Sequence, residues 1–331
     1  MVELRKDPIS SGWVIVNKNR DLNCFTKSEI HLSDEKYCPF CVGKEKLTPP
    51  QIIAYDKSRR VTNDKDWNIR VIPNNKPILA IEGSLSKKAE GIFDKMNGIG
   101  AHEIIIETPL HNKDTHSFTV EEYSQILQVV QERIRDLKND LRFEYILVFK
   151  NYGLNAGETI SHSHLQLVAM PVIPKTVKEE IHSGLKYFEY KERCLFCDII
   201  SQEISSGTRV VTENDYFIAF VPFASRYPFE VWILPKEHSS DFRTINDSKV
   251  ITDFASINTS VFRRLYKVLD NPAYNLFLHS LPLKENFLQH YHWHVEIIPQ
   301  IVKTTGFELG TGLYVNPILP EESAKFLREA E

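Results

Sequence analysis

Five cysteines and twelve histidines are spread unevenly along this chain, and the pattern is chemical. Cys24 stands alone, whereas the other four form two matching pairs, Cys38-Pro-Phe-Cys41 and Cys194-Leu-Phe-Cys197. In a reducing compartment, paired cysteines at this spacing point to metal or redox chemistry rather than structural disulfides. Thioredoxin-like redox use wants one such motif opening a helix after a strand. Two copies among many histidines favour zinc. The histidines themselves alternate, as Ser161-His162-Ser163-His164-Leu165-Gln166 and as His290-Tyr291-His292-Trp293-His294. Residues two apart on a strand share a face, so His162, His164 and Gln166 project together. Three polar side chains on one face of an apolar strand are costly unless that face lines a site. An exposed edge of solvated histidines is the bland alternative, and the paired cysteines and the flanking loop argue against it. A closed zinc site takes four ligands. Cys38, Cys41 and His111 supply three and one of His162 and His164 the fourth, which leaves the other imidazole rigid and neutral, a competent nucleophile or base. The second set is Cys194, Cys197, His238 and one of His292 and His294. Upstream of the first pair, Asn151-Tyr-Gly153-Leu-Asn-Ala-Gly157-Glu158-Thr159 is a loop able to turn backbone N–H groups toward an anion.

The elements that must position these residues occur twice. In each copy a Cys-x-x-Cys precedes an apolar run ending in histidine, then a helix, a strand, and the alternating histidines. The first copy has the run His102 to His111, a helix from Val120 to about Lys138 and a strand Tyr145 to Phe149. The second has Phe229 to His238, a helix from about Ser248 to Leu269 and a strand Tyr274 to Leu278. Fifty-one residues separate His111 from His162, and 54 separate His238 from His292. The repeat predicts an α+β fold of two related domains, 1–175 and 190–331, with 176–189 as a charged connector. Each domain is expected to be an antiparallel sheet with helices packed on one face.

Composition bounds the function. The 331 residues are 42% hydrophobic and 25% charged with a net charge of −4, which excludes disorder and argues against a nucleic-acid partner. No apolar run approaches the ~20 residues a bilayer requires, and MVELRKDPIS lacks the apolar stretch of a secretory signal. A cytosolic protein with no membrane partner is the expectation.

Taken in order, the Cys38 motif, Asn74 after an Arg-Val strand, Val148-Phe149-Lys150-Asn151 and the glycine loop leading into His-x-His-x-Gln resemble the galactose-1-phosphate uridylyltransferase family. That family is a branch of the histidine-triad superfamily. The resemblance runs from Asp7-Pro-Ile and Gly12-Trp13 to Gly306-Phe-Glu-Leu-Gly-Thr-Gly312, nearly the whole chain. It implies that His164 is a nucleophile on the α-phosphorus of a nucleoside diphosphate hexose, forming a nucleotidyl-histidine in a ping-pong cycle with Gln166 donating to phosphoryl oxygens. His162 and His292 then complete the two zinc sites, which are structural because the mechanism needs no catalytic metal. Asn74, Asn151, Gly157, Glu158, Thr159 and Ser161 fall at nucleotide or phosphate contacts, and Phe307, Leu309 and Gly310 near the sugar. The implied reaction moves uridylyl from UDP-glucose to galactose 1-phosphate, with ADP-glucose phosphorolysis as the alternative and a zinc-stabilised nucleotide-binding module as the reading from another class. The family analogy also implies a homodimer.

Departures accompany the resemblance. Ser161 and Ser163 stand where the uridylyltransferases carry prolines, and Asn23 where a basic residue is expected, with Arg20 the nearest guanidinium. Cys194-x-x-Cys197 stands where a carboxylate and histidines are expected to hold the second metal. The Ser-His-Ser-His run, two cysteine pairs and the Gly-Phe-Glu-Leu-Gly-Thr-Gly ending resemble the ADP-glucose phosphorylase-like branch. Glu296 aligns with Gln166 in the repeat and would repel a phosphate, so the second copy reads as a structural relic.

Overall fold

The computed structural model describes residues 2–19, 35–56, 59–61 and 66–330, so Arg20, Asn23 and Cys24 lie outside the described residues. The N-terminal half runs β1 (Val2–Lys6), β2 (Trp13–Asn17), β3 (Ile53–Asp56), β4 (Arg59–Arg60), β5 (Ile69–Pro73), a hairpin β6 (Lys88–Glu90) and β7 (Phe93–Lys95), β8 (Ala101–Ile106), helix α1 (Val120–Leu137), β9 (Tyr145–Tyr152) and β10 (His164–Met170). Helices α2 (Lys175–Lys191) and α3 (Leu195–Ser206) lead into β11 (Val210–Glu213), β12 (Phe217–Phe220), β13 (Val231–Pro235), α4 (Ser248–Leu269), β14 (Tyr274–His279) and β15 (His294–Pro299). The chain ends in α5 (Gly306–Thr311), β16 (Tyr314–Asn316) and α6 (Pro320–Arg328).

The repeat is visible, but the two sheets are one. Eleven strands lie in the order β11-β12-β13-β15-β14-β9-β10-β8-β5-β3-β4. The seam is the antiparallel pairing of β9 with β14, where Phe149 faces Phe277 and Asn151 faces Asn275. The antiparallel sheets of the two halves are continuous, and joining their inner edges removes two rows of unpaired N–H and C=O groups. The pairs β1–β2 and β2–β16 form a small second sheet that brings the chain's two ends together.

One face of the large sheet is covered by α1 and α4. Thr119 caps α1 by accepting from the Glu122 N–H, and the Glu122 carboxylate accepts from the Thr119 N–H in return. Helix α1 sets Ile126, Val130 and Ile134 against Ile105, Leu165 and Leu167, while α4 sets Phe254, Val261 and Phe262 against Ile233, Val295 and Ile297. Further helices cover part of the other face. The opposite face of the C-terminal half carries Ile218, Phe220, Trp232 and Leu234, which must also be buried, and Ile181 and Tyr187 of α2 and Leu195, Phe196 and Ile200 of α3 cover them. The connector expected at 176–189 therefore lies within a helix that contributes to the core, with Glu180 buried. No helix among the described residues is long and apolar enough to cross a membrane.

Candidate active site and metal centres

His164 opens β10, opposite Ile106 of β8, and Gln166 lies opposite Ile104. The alternation therefore sends His164 and Gln166 to the face away from α1, where Phe40, Ile72, Ile104 and Ile106 form a small apolar cluster with Cys38 and Cys41. His162 lies two residues before the strand, in the lead-in from the loop.

The strand start divides the labour between the two histidines. His162 Nε2–H donates to the Thr108 carbonyl at 2.7 Å, so its Nδ1 lone pair is free and stands 3.5 Å from Cys38 Sγ and 3.6 Å from Cys41 Sγ. His111 Nδ1 lies 3.4 Å from Cys41 Sγ. With Zn–S near 2.3 Å and Zn–N near 2.0 Å, a tetrahedron has S···N edges of about 3.6 Å. The donor set therefore fits zinc, and the bond from His162 to Thr108 is the outer hydrogen bond that fixes a ligand's tautomer. His164 points elsewhere. Its Nδ1–H donates to the His162 carbonyl at 2.7 Å, which leaves the lone pair on Nε2, and no hydrogen bond to that nitrogen occurs among the described residues. The ring of Phe40 meets it edge-on with centroids 5.3 Å apart. Burial holds the His164 pKa below its ordinary value, so the imidazole is neutral and nucleophilic.

Behind the strand, on the α1 side, lies a group that sequence reading missed. Ser163 donates to Glu107 Oε2 at 2.7 Å, and Lys150 Nζ, itself paired with Glu107, donates to Ser163 Oγ at 2.6 Å. Both ionised side chains are almost wholly buried.

The glycine loop closes on itself. Gly153 and Gly157 both have positive φ, at 82° and 84°, around a 3₁₀ turn from Leu154 to Ala156. Glu158 is buried and accepts the Gly153 N–H at 2.7 Å, which ties the loop. Burial pushes its pKa up to about 7 against the opposing Gly153 N–H and Lys150 charge. Asn151 is fixed by Asn275 of the other half, whose Nδ2 donates to its Oδ1 at 2.8 Å. Thr159 is exposed and Ser161 half-buried just before His162. Asn74 follows β5, its Oδ1 accepting the Lys76 N–H at 2.8 Å, and its Nδ2 lies 3.1 Å from His102 Nε2. Phe307 and Leu309 are exposed on the short α5 with Gly310, and no hydrogen bond or ring contact joins them to His164 among the described residues.

The second half repeats the donor geometry. His238 Nδ1 and His292 Nδ1 stand 3.4 and 3.8 Å from Cys197 Sγ, and their Nε2 atoms donate to the Leu288 and Pro235 carbonyls at 3.2 and 2.9 Å. Cys194, Cys197, His238 and His292 thus form a second closed donor set. Trp232 pairs with Glu296 as Ile104 pairs with Gln166, and its indole stacks on His294 at 5.2 Å while Phe196 lies 5.5 Å away on the ring. The counterpart of His164 is covered by aromatic rings.

A carboxylate–histidine cluster exists as well, so the expectation that cysteines had replaced it is corrected. Glu180, His279, His294 and Glu296 each bring a donor atom within 4.8 Å of the others, a set able to hold a cation. His279 Nδ1 bonds Glu180 Oε1 at 2.8 Å, and Arg226 reaches both Glu296 at 2.5 Å and Glu230 at 3.1 Å. No sequence motif gathers these residues, because Glu180 lies in the helix read as a connector.

Fold and site together define a chain of two fused histidine-motif repeats, each carrying a Cys₂His₂ donor set, with the His164 imidazole beside the first set. A family model described as galactose-1-phosphate uridyl transferase, N-terminal domain, matches residues 13–174, and one described as a domain of unknown function matches 100–329. The chain is 36% identical to ADP-glucose phosphorylase of Arabidopsis thaliana over 99% of this chain and 92% of that one. It is 28% identical to galactose-1-phosphate uridylyltransferase of Thermotoga maritima over 100% of this chain and 99% of that one. A crystal structure of the Arabidopsis ADP-glucose phosphorylase with bound ADP-glucose superposes with a TM-score of 0.85 at 34% identity, covering 99% of both chains. The chain belongs to the galactose-1-phosphate uridylyltransferase family.

Proposed function

We propose that the chain is a hexose-1-phosphate nucleotidyltransferase that works through a nucleotidyl-histidine on His164. The observation that carries this is the division between His162, whose Nδ1 faces the cysteine thiols, and His164, whose Nδ1–H is held by the His162 carbonyl and whose Nε2 has no hydrogen bond among the described residues. His164 Nε2 attacks the α-phosphorus of a nucleoside diphosphate hexose; the N–P bond forms, the bond to the bridging oxygen breaks, and hexose 1-phosphate leaves with that electron pair. A second sugar 1-phosphate, or inorganic phosphate, attacks the same phosphorus and returns the lone pair to His164. The two steps use one phosphate cradle, and their loose transition states need positioning and charge stabilisation above strong acid–base catalysis. Gln166 donates from its amide, while Asn74, Asn151, Gly157, Thr159 and Ser161 surround the nucleotide. Zinc in the two Cys₂His₂ sets supplies rigidity: holding His162 fixes the carbonyl that orients His164. The same reading takes the chain as cytosolic and homodimeric, Phe307, Leu309 and Gly310 approaching the partner's sugar site.

Two donors remain in view for one site. Uridylyl transfer between UDP-glucose and galactose 1-phosphate follows the family's usual chemistry. Adenylyl transfer from ADP-glucose to phosphate is favoured by the 36% identity to ADP-glucose phosphorylase and by the second cysteine pair. Turnover of both donors against galactose 1-phosphate, glucose 1-phosphate and phosphate decides between them, and absence of turnover with every pair contradicts the proposal.

A further inference from the structure

Gln166 has to present its amide nitrogen, not its carbonyl, to phosphoryl oxygens. A carboxamide is nearly symmetric in shape, so something must choose its orientation. His102, buried on β8, lies in register opposite Val168, on the same face as Gln166. Its Nδ1 receives the Ile78 backbone N–H at 3.3 Å, a group that can only donate. Burial lowers the pKa of this ring, so it is neutral and its single hydrogen sits on Nε2. The acceptor there is Gln166 Oε1 at 2.9 Å. Asn74 Nδ2 lies 3.1 Å from the same nitrogen, but Asn74 Oδ1 is committed to the Lys76 N–H, so Asn74 offers no acceptor and the hydrogen goes to Gln166. Gln166 Oε1 is thereby used, and its amide nitrogen has no hydrogen-bond partner among the described residues.

We propose that His102 is a positioning residue that fixes the Gln166 carboxamide with its N–H groups toward the reacting phosphorus, the direction being set by the Ile78 backbone N–H behind it. This rests on the roles of His164 and Gln166 given above. Without the imidazole the carboxamide is free to turn its carbonyl toward the phosphate, where lone pair faces oxyanion, and a preorganised donor is lost.

The test is single-turnover labelling of the protein by α-phosphate-labelled ADP-glucose and UDP-glucose, in wild type, His102→Phe, Gln166→Ala and the double variant. His102→Phe is expected to slow labelling at saturating donor by about 10- to 100-fold, part of the loss that follows removal of a whole oxyanion donor. Donor affinity is expected to stay within about threefold, and in the Gln166→Ala background the same substitution should cost less than about twofold, because residues acting as a unit are not additive. An equal cost in both backgrounds, or a loss confined to affinity, overturns the proposal. Should His102→Phe lose zinc or its thermal transition, His102→Gln carries the test in reverse: it keeps an N–H donor and should hold the rate within about threefold, and a rate as low as that of the Gln166→Ala protein overturns the proposal. A wild type that takes no label from either donor overturns the functional reading and this proposal with it, whereas a labelling wild type with additive variants overturns this proposal alone.

Discussion

His164 donates its Nδ1–H to the main-chain carbonyl of His162, 2.7 Å away, while the ring of His162 turns its own Nδ1 toward the thiols of Cys38 and Cys41. Two histidines of like environment in the sequence are thereby given different chemistry. One turns a donor nitrogen toward the thiols with its outer nitrogen capped by Thr108, and the other is oriented by its neighbour's backbone carbonyl and keeps its Nε2 lone pair unbonded among the described residues. The first Cys₂His₂ donor set is thereby linked to the His164 ring through a peptide group, not through a direct bond to it.

Its counterpart His294 bonds the His292 carbonyl in the same way, and what separates the two is that His294 lies under Trp232 and Phe196. His164→Gly is expected to remove turnover to background, at least about 10³-fold, as loss of a covalent nucleophile does. His294→Gly should leave turnover within about threefold and lower only the melting temperature. Steady-state rates of the two purified variants, with zinc measured at two per chain in each, check the contrast.

Cysteine 38 should behave in the opposite order. Cys38→Ser removes one thiolate from the first donor set, and metal-binding free energy in such sets is folding free energy. Zinc content is expected to fall from two to one per chain and the melting temperature by about 10 °C or more, with turnover lost as a consequence. Metal analysis beside calorimetry distinguishes this from a catalytic defect.

The buried Lys150–Glu107 pair makes a stability prediction. Lys150→Met leaves the Glu107 carboxylate buried without its cation, a change that costs about 3–5 kcal/mol when one partner of a buried ion pair is removed. Lys150→Met with Glu107→Gln should recover part of that loss, because the remaining amide carries no charge and still bonds Ser163. Denaturant midpoints of the single and double variants supply the comparison.

Glu158 makes stability depend on pH. Burial raises its folded pKa to about 7 from an ordinary 4.5, so the folded state holds a proton that the unfolded chain releases over this interval. The contribution is fully present below about pH 4.5 and is lost as pH rises through 7. Glu158→Gln should flatten that part of the profile, raising the melting temperature at pH 8 relative to wild type and changing it little at pH 4.5. A variant whose profile parallels the wild type contradicts the assignment.

Much of this was legible in the sequence because local rules carry it. Helix α4 was expected from about Ser248 to Leu269 by its apolar period and ends there, since Asp247 caps one end and Asp270 takes the left-handed turn at the other. The two Cys₂His₂ sets were legible because cysteine pairs and alternating histidines are rare and occurred twice. What the sequence hid depends on contacts between distant elements. The merging of both halves into one sheet lies in the β9–β14 seam, whose strands read like any other buried strand. The Glu180–His279–His294–Glu296 cluster joins a helix to two strand ends with no fixed spacing. His102 read only as the first residue of an apolar run, and its bond to Gln166 follows from the register of β8 against β10. That Glu158 ties its own loop through the Gly153 N–H was likewise hidden, because it depends on how the loop closes and not on the residue types.

The central claim is that the imidazole at position 164, and no other, carries the nucleotide. Peptide mapping by mass spectrometry, after a brief incubation with α-labelled ADP-glucose or UDP-glucose and quenching in base, tests it directly. The expected result is one base-stable, acid-labile nucleotidyl group per chain on the peptide containing residues 161–166, assigned to His164 by fragmentation. A label on His162 or His294, or turnover with no covalent label trapped at any time, would contradict it.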